Sequence, residues 1–157
     1  MNTNIEISNE NLKKVATLLN TLLSDEFLLY TKTLNAHWNV QGKNFMELHI
    51  LFQSQYTPLA VIIDDTAERI RSLGHFALGS LKNFLQVSRL SEQNDNFNNQ
   101  DHIIQSLLQD HESVVRSLRK EINIVGDEIK DLGTADFMTG LMEQHEKMAW
   151  MLRSYLQ

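Results

Sequence analysis

The chain has 157 residues, a net charge of −6 and no cysteine. Its length fits one domain, residues 1–157, and the missing cysteines exclude disulfides and zinc–thiolate sites. The acidic balance disfavours binding to DNA phosphates. No apolar run approaches the roughly 20 residues of a membrane span and the N-terminus lacks a signal-peptide core, so we expect a cytoplasmic protein.

The first predicted helix follows a polar segment, residues 1–7, which we expect to be a flexible tail. Ser8 or Asn9 can cap this helix. Its apolar face continues to His37 and carries Leu12, Val15, Leu19, Leu22, Leu23, Tyr30 and Leu34. Glu26 shares that face and needs a partner, since a carboxylate is costly to bury. The sequence does not identify the partner.

The second helix is predicted from about Phe45 to Leu73, after a break at Gly42 and Asn44. Its apolar spacing carries through Pro58, which predicts a kink there and not an end. The break folds the first two helices into a hairpin. This hairpin brings His37 and His49 to face each other, although they are twelve residues apart.

A long connection, residues 74–99, separates the second helix from the third, and residues 80–87 within it could form a short amphipathic helix. The third helix is predicted at about 101–125 and the fourth at about 134–155. The fold class is therefore all-α. We expect a four-helix bundle with the ferritin-type crossover and a short extra helix between helices 2 and 3.

Four side chains suggest a metal site. Asp64 and Glu68 are four residues apart, so a helix places both carboxylates on one face. They lie about 22 Å and about 28 Å along the second helix from His49. One chain therefore cannot easily bring them to the histidine pair. Two copies packed antiparallel about a two-fold axis can, because the hairpin end of one meets the far end of the other.

Each of these residues also has a simpler interpretation. A histidine on an apolar helical face is more often a hydrogen-bonded core residue than a ligand. Asp64 and Glu68 could form a solvated face, and Glu68 could pair with a nearby base: Arg69, Arg71 or Lys43. The two pairs occur together, which favours a shared metal site, and from the residues alone both interpretations stay open.

Two motifs resemble the Dps family of ferritin-like mini-ferritins, named for a DNA-binding protein from starved cells. The first is His37-Trp-x-Val-x-Gly, followed by Leu-His49. The second is Asp64-x-x-Ala-Glu68-Arg69, followed by Leu-Gly-His75. Further similarity lies at Thr134-Ala-Asp136 and His145-Glu-Lys-x-x-Trp150.

The resemblance implies a hollow dodecamer built from two-fold dimers, with iron-oxidising sites at the dimer interfaces. His37 and His49 would bind iron from one subunit, and Asp64 and Glu68 from its partner. Hydrogen peroxide, or dioxygen, would be the oxidant, and ferric mineral would be stored in the cage. The protein would then be a ferroxidase that protects against oxidative stress.

One position departs from the family pattern, which has an acidic residue four after the second histidine. Gln53 stands there. An amide is a weaker iron ligand than a carboxylate and adds no charge. We therefore predict one firmly bound and one weakly bound iron, with slower oxidation than in a relative with the full motif.

A second acidic group lies around the turn before the fourth helix: Asp127, Glu128, Asp131 and Asp136. These residues fit an ordinary solvated loop. They also fit a pore that concentrates ferrous ions in a threefold assembly, since the resemblance places entry pores here. The sequence leaves both interpretations open.

His75, His102, His111 and His145 are predicted to be surface or core residues. The sequence has no Glu-x-x-His pair, which argues against a di-iron centre inside one bundle. The alternative function is a DNA-compacting protein of the same fold with weak ferroxidase activity. The net charge and the lack of a lysine-rich tail argue against DNA binding.

Overall fold

A computed structural model describes residues 3–92 and 99–157 of the chain. Within these residues it contains five α-helices, a single π-helical segment at Ile124–Glu128, and no strand. The helices are α1 (Asn9–Asn39), α2 (Phe45–Ser72), α3 (Leu81–Val87), α4 (Gln100–Asn123) and α5 (Leu132–Tyr155). This confirms the all-α prediction, including the short helix between the second and third long ones.

The four long helices form two hairpins that pack face to face. α1 packs along α2 and α4 along α5, while α1 also meets α4 and α2 meets α5. Leucines supply much of the shared core, and Leu19, Leu29, Leu59, Leu107 and Leu152 are fully buried. α3 lies on α1, where the rings of Phe84 and Phe27 stack with centroids 4.4 Å apart.

Side-chain caps mark the start of each α-helix except α2, where Asn44 makes no side-chain cap bond. Ser8 Oγ accepts a hydrogen bond from the Asn11 amide at 3.2 Å, and Ser80 Oγ accepts one from Asn83 at 3.3 Å. α2 continues unbroken past Pro58, as its apolar spacing predicted. The last two long helices differ from prediction at their facing ends. α4 ends at Asn123, before the π segment, and α5 begins at Leu132.

The crossover between α2 and α4 is attached to the bundle by charged groups. Arg89 pairs with Asp25 of α1 at 2.6 Å and with Glu121 of α4. Burial raises the pKa of Glu121 and Arg89 opposes that shift. Burial likewise lowers the pKa of Arg89, but its two carboxylate partners outweigh this and leave it raised. The crossover is therefore fixed to two helices that lie far apart in sequence.

The predicted tail and crossover extend partly beyond the described residues, because residues 1, 2 and 93–98 lie outside them. Within the tail, the Thr3 hydroxyl donates to the Leu73 carbonyl at 3.3 Å, and Ile7 packs against the core. Across the described ranges, the helices are too short or too polar to cross a membrane.

Candidate metal centre

His37 and His49 form a reciprocal pair at the turn between α1 and α2. Nδ1 of His37 lies 2.7 Å from the His49 carbonyl oxygen, and Nδ1 of His49 lies 2.9 Å from that of His37. A carbonyl oxygen only accepts, so each Nδ1 carries the proton and donates. The lone pair of each ring is therefore on Nε2, the tautomer that can bind a metal ion.

The backbone of the turn makes this pairing possible. The His37 carbonyl is in the last turn of α1, where carbonyls lack a helical partner. Gly42 has φ +120°, and an added Cβ would lie 2.9 Å from Nε2 of Gln100. Only glycine fits that backbone conformation and that space without strain. The turn can then bring the two imidazole rings into a stack with centroids 3.7 Å apart.

Asp64 and Glu68 lie on the exposed side of α2, one helical turn apart. Neither makes an ion pair or a hydrogen bond to another described residue. The pairing with bases considered above is not formed. Arg69 instead contacts Thr134 and Asp131, and Arg71 donates to the His75 carbonyl at 2.8 Å. Both carboxylates thus remain available to a ligand from outside the chain.

Within the described part of one chain, no three histidine or acidic residues lie close enough to hold a metal ion. Helix geometry explains this for the four predicted ligands, because fifteen residues of helix between His49 and Asp64 span about 22 Å. The structure brings His37 to His49 and keeps Asp64 near Glu68. It does not bring the two pairs together.

The outer face of α2 connects the two pairs. Its exposed residues recur at helical spacing: Met46, Ile50, Gln53, Thr57, Ala60, Val61, Asp64 and Glu68. Trp38, next to His37, is also 65% exposed. Large apolar side chains grouped on one face are typical of an interaction surface. Gln53 lies on this face, one turn after His49, so the residue that departs from the family pattern points the same way as the carboxylates.

The acidic residues near the start of α5 differ in their surroundings. Asp127, Glu128 and Asp136 are exposed. Asp131 is only 4% exposed and caps α5, accepting from the Thr134 amide at 3.0 Å. It also accepts from the Thr134 hydroxyl and from Arg69 at 3.3 Å. Asp131 thus has structural partners within the chain, whereas the three other carboxylates face solvent.

The π segment between α4 and α5 was not predicted. Its hydrogen bonds span five residues and not four, as in the bond from the Ile129 amide to the Ile124 carbonyl at 3.0 Å. Gly126 lies inside it, and a Cβ there would lie 3.2 Å from that of Ala135. The sequence offered one clue, the apolar spacing that runs on past Asn123, but this spacing also fits an α-helix.

The sequence also did not predict a chain of three hydrogen-bonded polar side chains in the bundle core. Nε2 of His145 lies 2.8 Å from Oε1 of Glu26, and Nδ1 of His145 lies 2.9 Å from Nδ1 of His111. All three side chains are fully buried. His145 is thus the partner that Glu26 required. A signal was present in the sequence, since each of the three polar residues occupies an apolar position of its own helix.

Comparison with known proteins identifies the fold family. The family model described as a ferritin-like domain matches residues 16–157. A DNA protection during starvation protein from Bacillus anthracis is 33% identical over 144 residues, covering 92% of this chain and 97% of that protein. The chain belongs to the Dps family of ferritin-like proteins.

Two further proteins are similar to this Dps-family chain. An uncharacterized low temperature-induced protein from Nostoc sp. is 44% identical over 154 residues, covering 98% of this chain and 86% of that protein. The crystal structure of a Dps protein from Vibrio cholerae superposes with a TM-score of 0.92 at 32% identity, covering 100% and 98% of the two chains. That protein is described as a member of a superfamily of ferritin-like diiron-carboxylate proteins. Both the resemblance and the fold expected from the sequence are confirmed.

Proposed function

We propose that this Dps-family protein is a ferroxidase and iron store. It oxidises Fe(II) at sites shared by two copies and keeps the ferric product in a hollow cage. The observation that carries the proposal is the reciprocal bonding of His37 and His49. It fixes both imidazoles in the metal-binding tautomer at the turn between α1 and α2, where His37 is 7% exposed and His49 is half-buried. His49 lies on α2, the helix whose outer face carries Asp64 and Glu68.

The donor set suits this chemistry. Imidazole and carboxylate ligands accept ferrous iron, and carboxylates stabilise the more highly charged ferric ion more strongly. Two ferrous ions, one hydrogen peroxide and two protons give two ferric ions and two water molecules. Hydrogen peroxide is the proposed oxidant and dioxygen the alternative. Removing both ferrous iron and peroxide would protect the cell against oxidative stress.

The second copy supplies the missing half of the site. Antiparallel packing of two α2 helices about a two-fold axis would place Asp64 and Glu68 of the partner subunit against His37 and His49. The exposed apolar residues Met46, Ile50 and Val61 would be buried in the same contact. The proposed assembly is a cytoplasmic dodecamer built from such dimers.

Iron entry is proposed at the acidic turn before α5. Asp127 and Asp136 are exposed and could ring a threefold pore that concentrates ferrous ions. Asp131 is assigned a structural role and not a place in the pore lining, because its carboxylate is bonded to Thr134 and Arg69. DNA compaction is the less supported alternative, given the net charge of −6. A gel-shift assay at moderate salt tests it.

Subunit mixing provides the sharpest test. His37→Ala and Glu68→Ala cages should each oxidise Fe(II) slowly, as followed by ferric absorbance. In cages co-assembled from both variants, a mixed dimer has one site with neither change, built from the histidines of one subunit and the carboxylates of the other. Activity should therefore partly return on mixing.

His102→Ala is the matched control, because His102 is exposed on α4 and belongs to no proposed site. It should leave the oxidation rate unchanged. Unrestored activity in the mixed cages would contradict a site shared between two subunits. Normal oxidation by the His37→Ala cage would overturn the proposed site altogether.

A further inference from the structure

Two tyrosines are placed symmetrically about the histidine pair. Tyr30 comes seven residues before His37 on α1, and Tyr56 comes seven residues after His49 on α2. Seven residues are close to two helical turns, so each tyrosine shares the face of its histidine. Both lie about 10 Å further from the turn than the histidines do. The hairpin thus carries a tyrosine pair directly beneath the imidazole pair.

The rings form a continuous series of contacts. The Tyr56 ring meets the His37 ring edge-on, with centroids 5.1 Å apart at 68°. The Tyr30 ring meets the Tyr56 ring edge-on in turn, with centroids 6.2 Å apart at 80°. Both tyrosines are half-buried. The series leads from the candidate ligand His37 into the bundle.

We propose that Tyr56 donates an electron to the iron site during peroxide reduction. The resulting radical can then pass from Tyr56 to Tyr30. This rests on the proposed ferroxidase function. Peroxide accepts two electrons, and a ferrous ion gives one. With Gln53 in place of a carboxylate, we predict that the site binds one iron firmly, and peroxide that reacts there then needs its second electron from another donor.

One Fe(II), one hydrogen peroxide and the Tyr56 phenol give Fe(III), one water, one hydroxide and the neutral tyrosyl radical. The O–O bond breaks, and the phenolic proton joins one of its oxygens to make the water. Without the tyrosine, the same single iron would release hydroxyl radical. A later Fe(II) and a proton reduce the tyrosyl radical back to the phenol, yielding a second Fe(III).

The experiment is freeze-quench electron paramagnetic resonance of the intact cage, mixed with one Fe(II) per site and then with peroxide. The wild-type protein should give a tyrosyl signal that narrows when the tyrosines are ring-deuterated. Tyr56→Phe should lose this signal, and a spin trap should then capture more hydroxyl radical. Tyr30→Phe should keep a signal confined to Tyr56. Tyr155→Phe, which changes the one other tyrosine of the chain, should behave as wild type.

Trp38, which adjoins His37 in sequence, is the competing electron donor, and Trp38→Phe tests it. An unchanged tyrosyl signal in Tyr56→Phe would overturn the proposal, as would a tryptophan radical that disappears in Trp38→Phe. Iron oxidation that depends on His37 but gives no tyrosyl signal would overturn the electron-donor role alone. A wild-type cage that does not oxidise Fe(II) would overturn the proposed function as well.

Discussion

Nδ1 of His111 lies 2.9 Å from Nδ1 of His145, between α4 and α5 in the closed core of the bundle. Two ring nitrogens at this distance form a hydrogen bond only when one carries a proton and the other a lone pair. His145 Nε2–H donates to Glu26, and in the neutral form of His145 its Nδ1 then accepts from His111 Nδ1–H. Among the described residues, Nε2 of His111 and Oε2 of Glu26 have no partner. A proton added at Nε2 of His111 would therefore be an unpartnered positive charge in the closed core.

Acid should therefore destabilise the fold through His111. Burial and, next, the neighbouring His145 hold the pKa of His111 well below its ordinary value of 6.5. The unfolded chain then takes up a proton as the pH falls below 6.5, and the native state does not. This contribution to stability is complete above pH 6.5 and is lost progressively below it. Thermal unfolding measured on both sides of this pH checks the sign.

His111→Gln provides the comparison, since an amide can still donate to His145 and does not titrate. Its unfolding midpoint should fall less steeply with acid than that of the wild type. His102→Gln removes an exposed histidine and should retain the wild-type slope. Equal slopes in wild type and His111→Gln would contradict the assignment.

Gln53→Asp should strengthen the second iron position. The added carboxylate lies on the outer face of α2, one turn after His49, and supplies both charge and an oxygen ligand. Anaerobic titration should show the number of tightly bound Fe(II) ions rising from one towards two per site, with faster oxidation by peroxide. Gln53→Asn keeps the position neutral and should resemble the wild type. Two tightly bound ions in the wild type would refute the predicted weakness.

Asp131 and Asp136, at the start of α5, should differ in their effect on the stability of the fold. Asp131→Ala removes the cap of the helix and the partner of Arg69, which should cost about 1–3 kcal/mol of stability. Asp136→Ala should change stability by less than about 0.5 kcal/mol, because its side chain is exposed. Denaturant unfolding measures both.

Iron uptake should depend on the two exposed acids near α5. Asp127→Asn and Asp136→Asn together should slow ferrous uptake without changing the size of the cage. Gel filtration and a timed uptake assay check this. Unaltered uptake in the double variant would rule out these two carboxylates as the lining of an entry pore.

Arg89→Ala should loosen the crossover. It leaves Asp25, which is 1% exposed, and the mostly buried Glu121 without their cation. The expected loss of stability is roughly 3 kcal/mol, the lower end for breaking a buried ion pair, because Arg89 itself is partly exposed. Arg116→Ala breaks an exposed pair with Glu112 at 3.9 Å and should cost less than about 1 kcal/mol. Similar losses in the two variants would show that Arg89 is not a structural anchor.

The sequence by itself determined the helices, because apolar spacing reports which face of each helix is buried. Leu12, Leu19 and Leu22 marked the inner side of α1, and the spacing past Pro58 kept α2 whole. The break at Gly42 and Asn44 likewise predicted a hairpin in which His37 faces His49. These are local relationships, fixed by helical geometry along one stretch of chain.

Only the tertiary structure decided which distant groups meet. The partners Glu26 and His145 are 119 residues apart, and Arg69 reaches Asp131 across 62. No periodicity encodes such pairs, since they depend on how two hairpins are set against each other and on which side chain fills the space between them. The same packing buries Asp131 and leaves Asp136 exposed. The sequence could not distinguish them, because both are aspartates near the same turn.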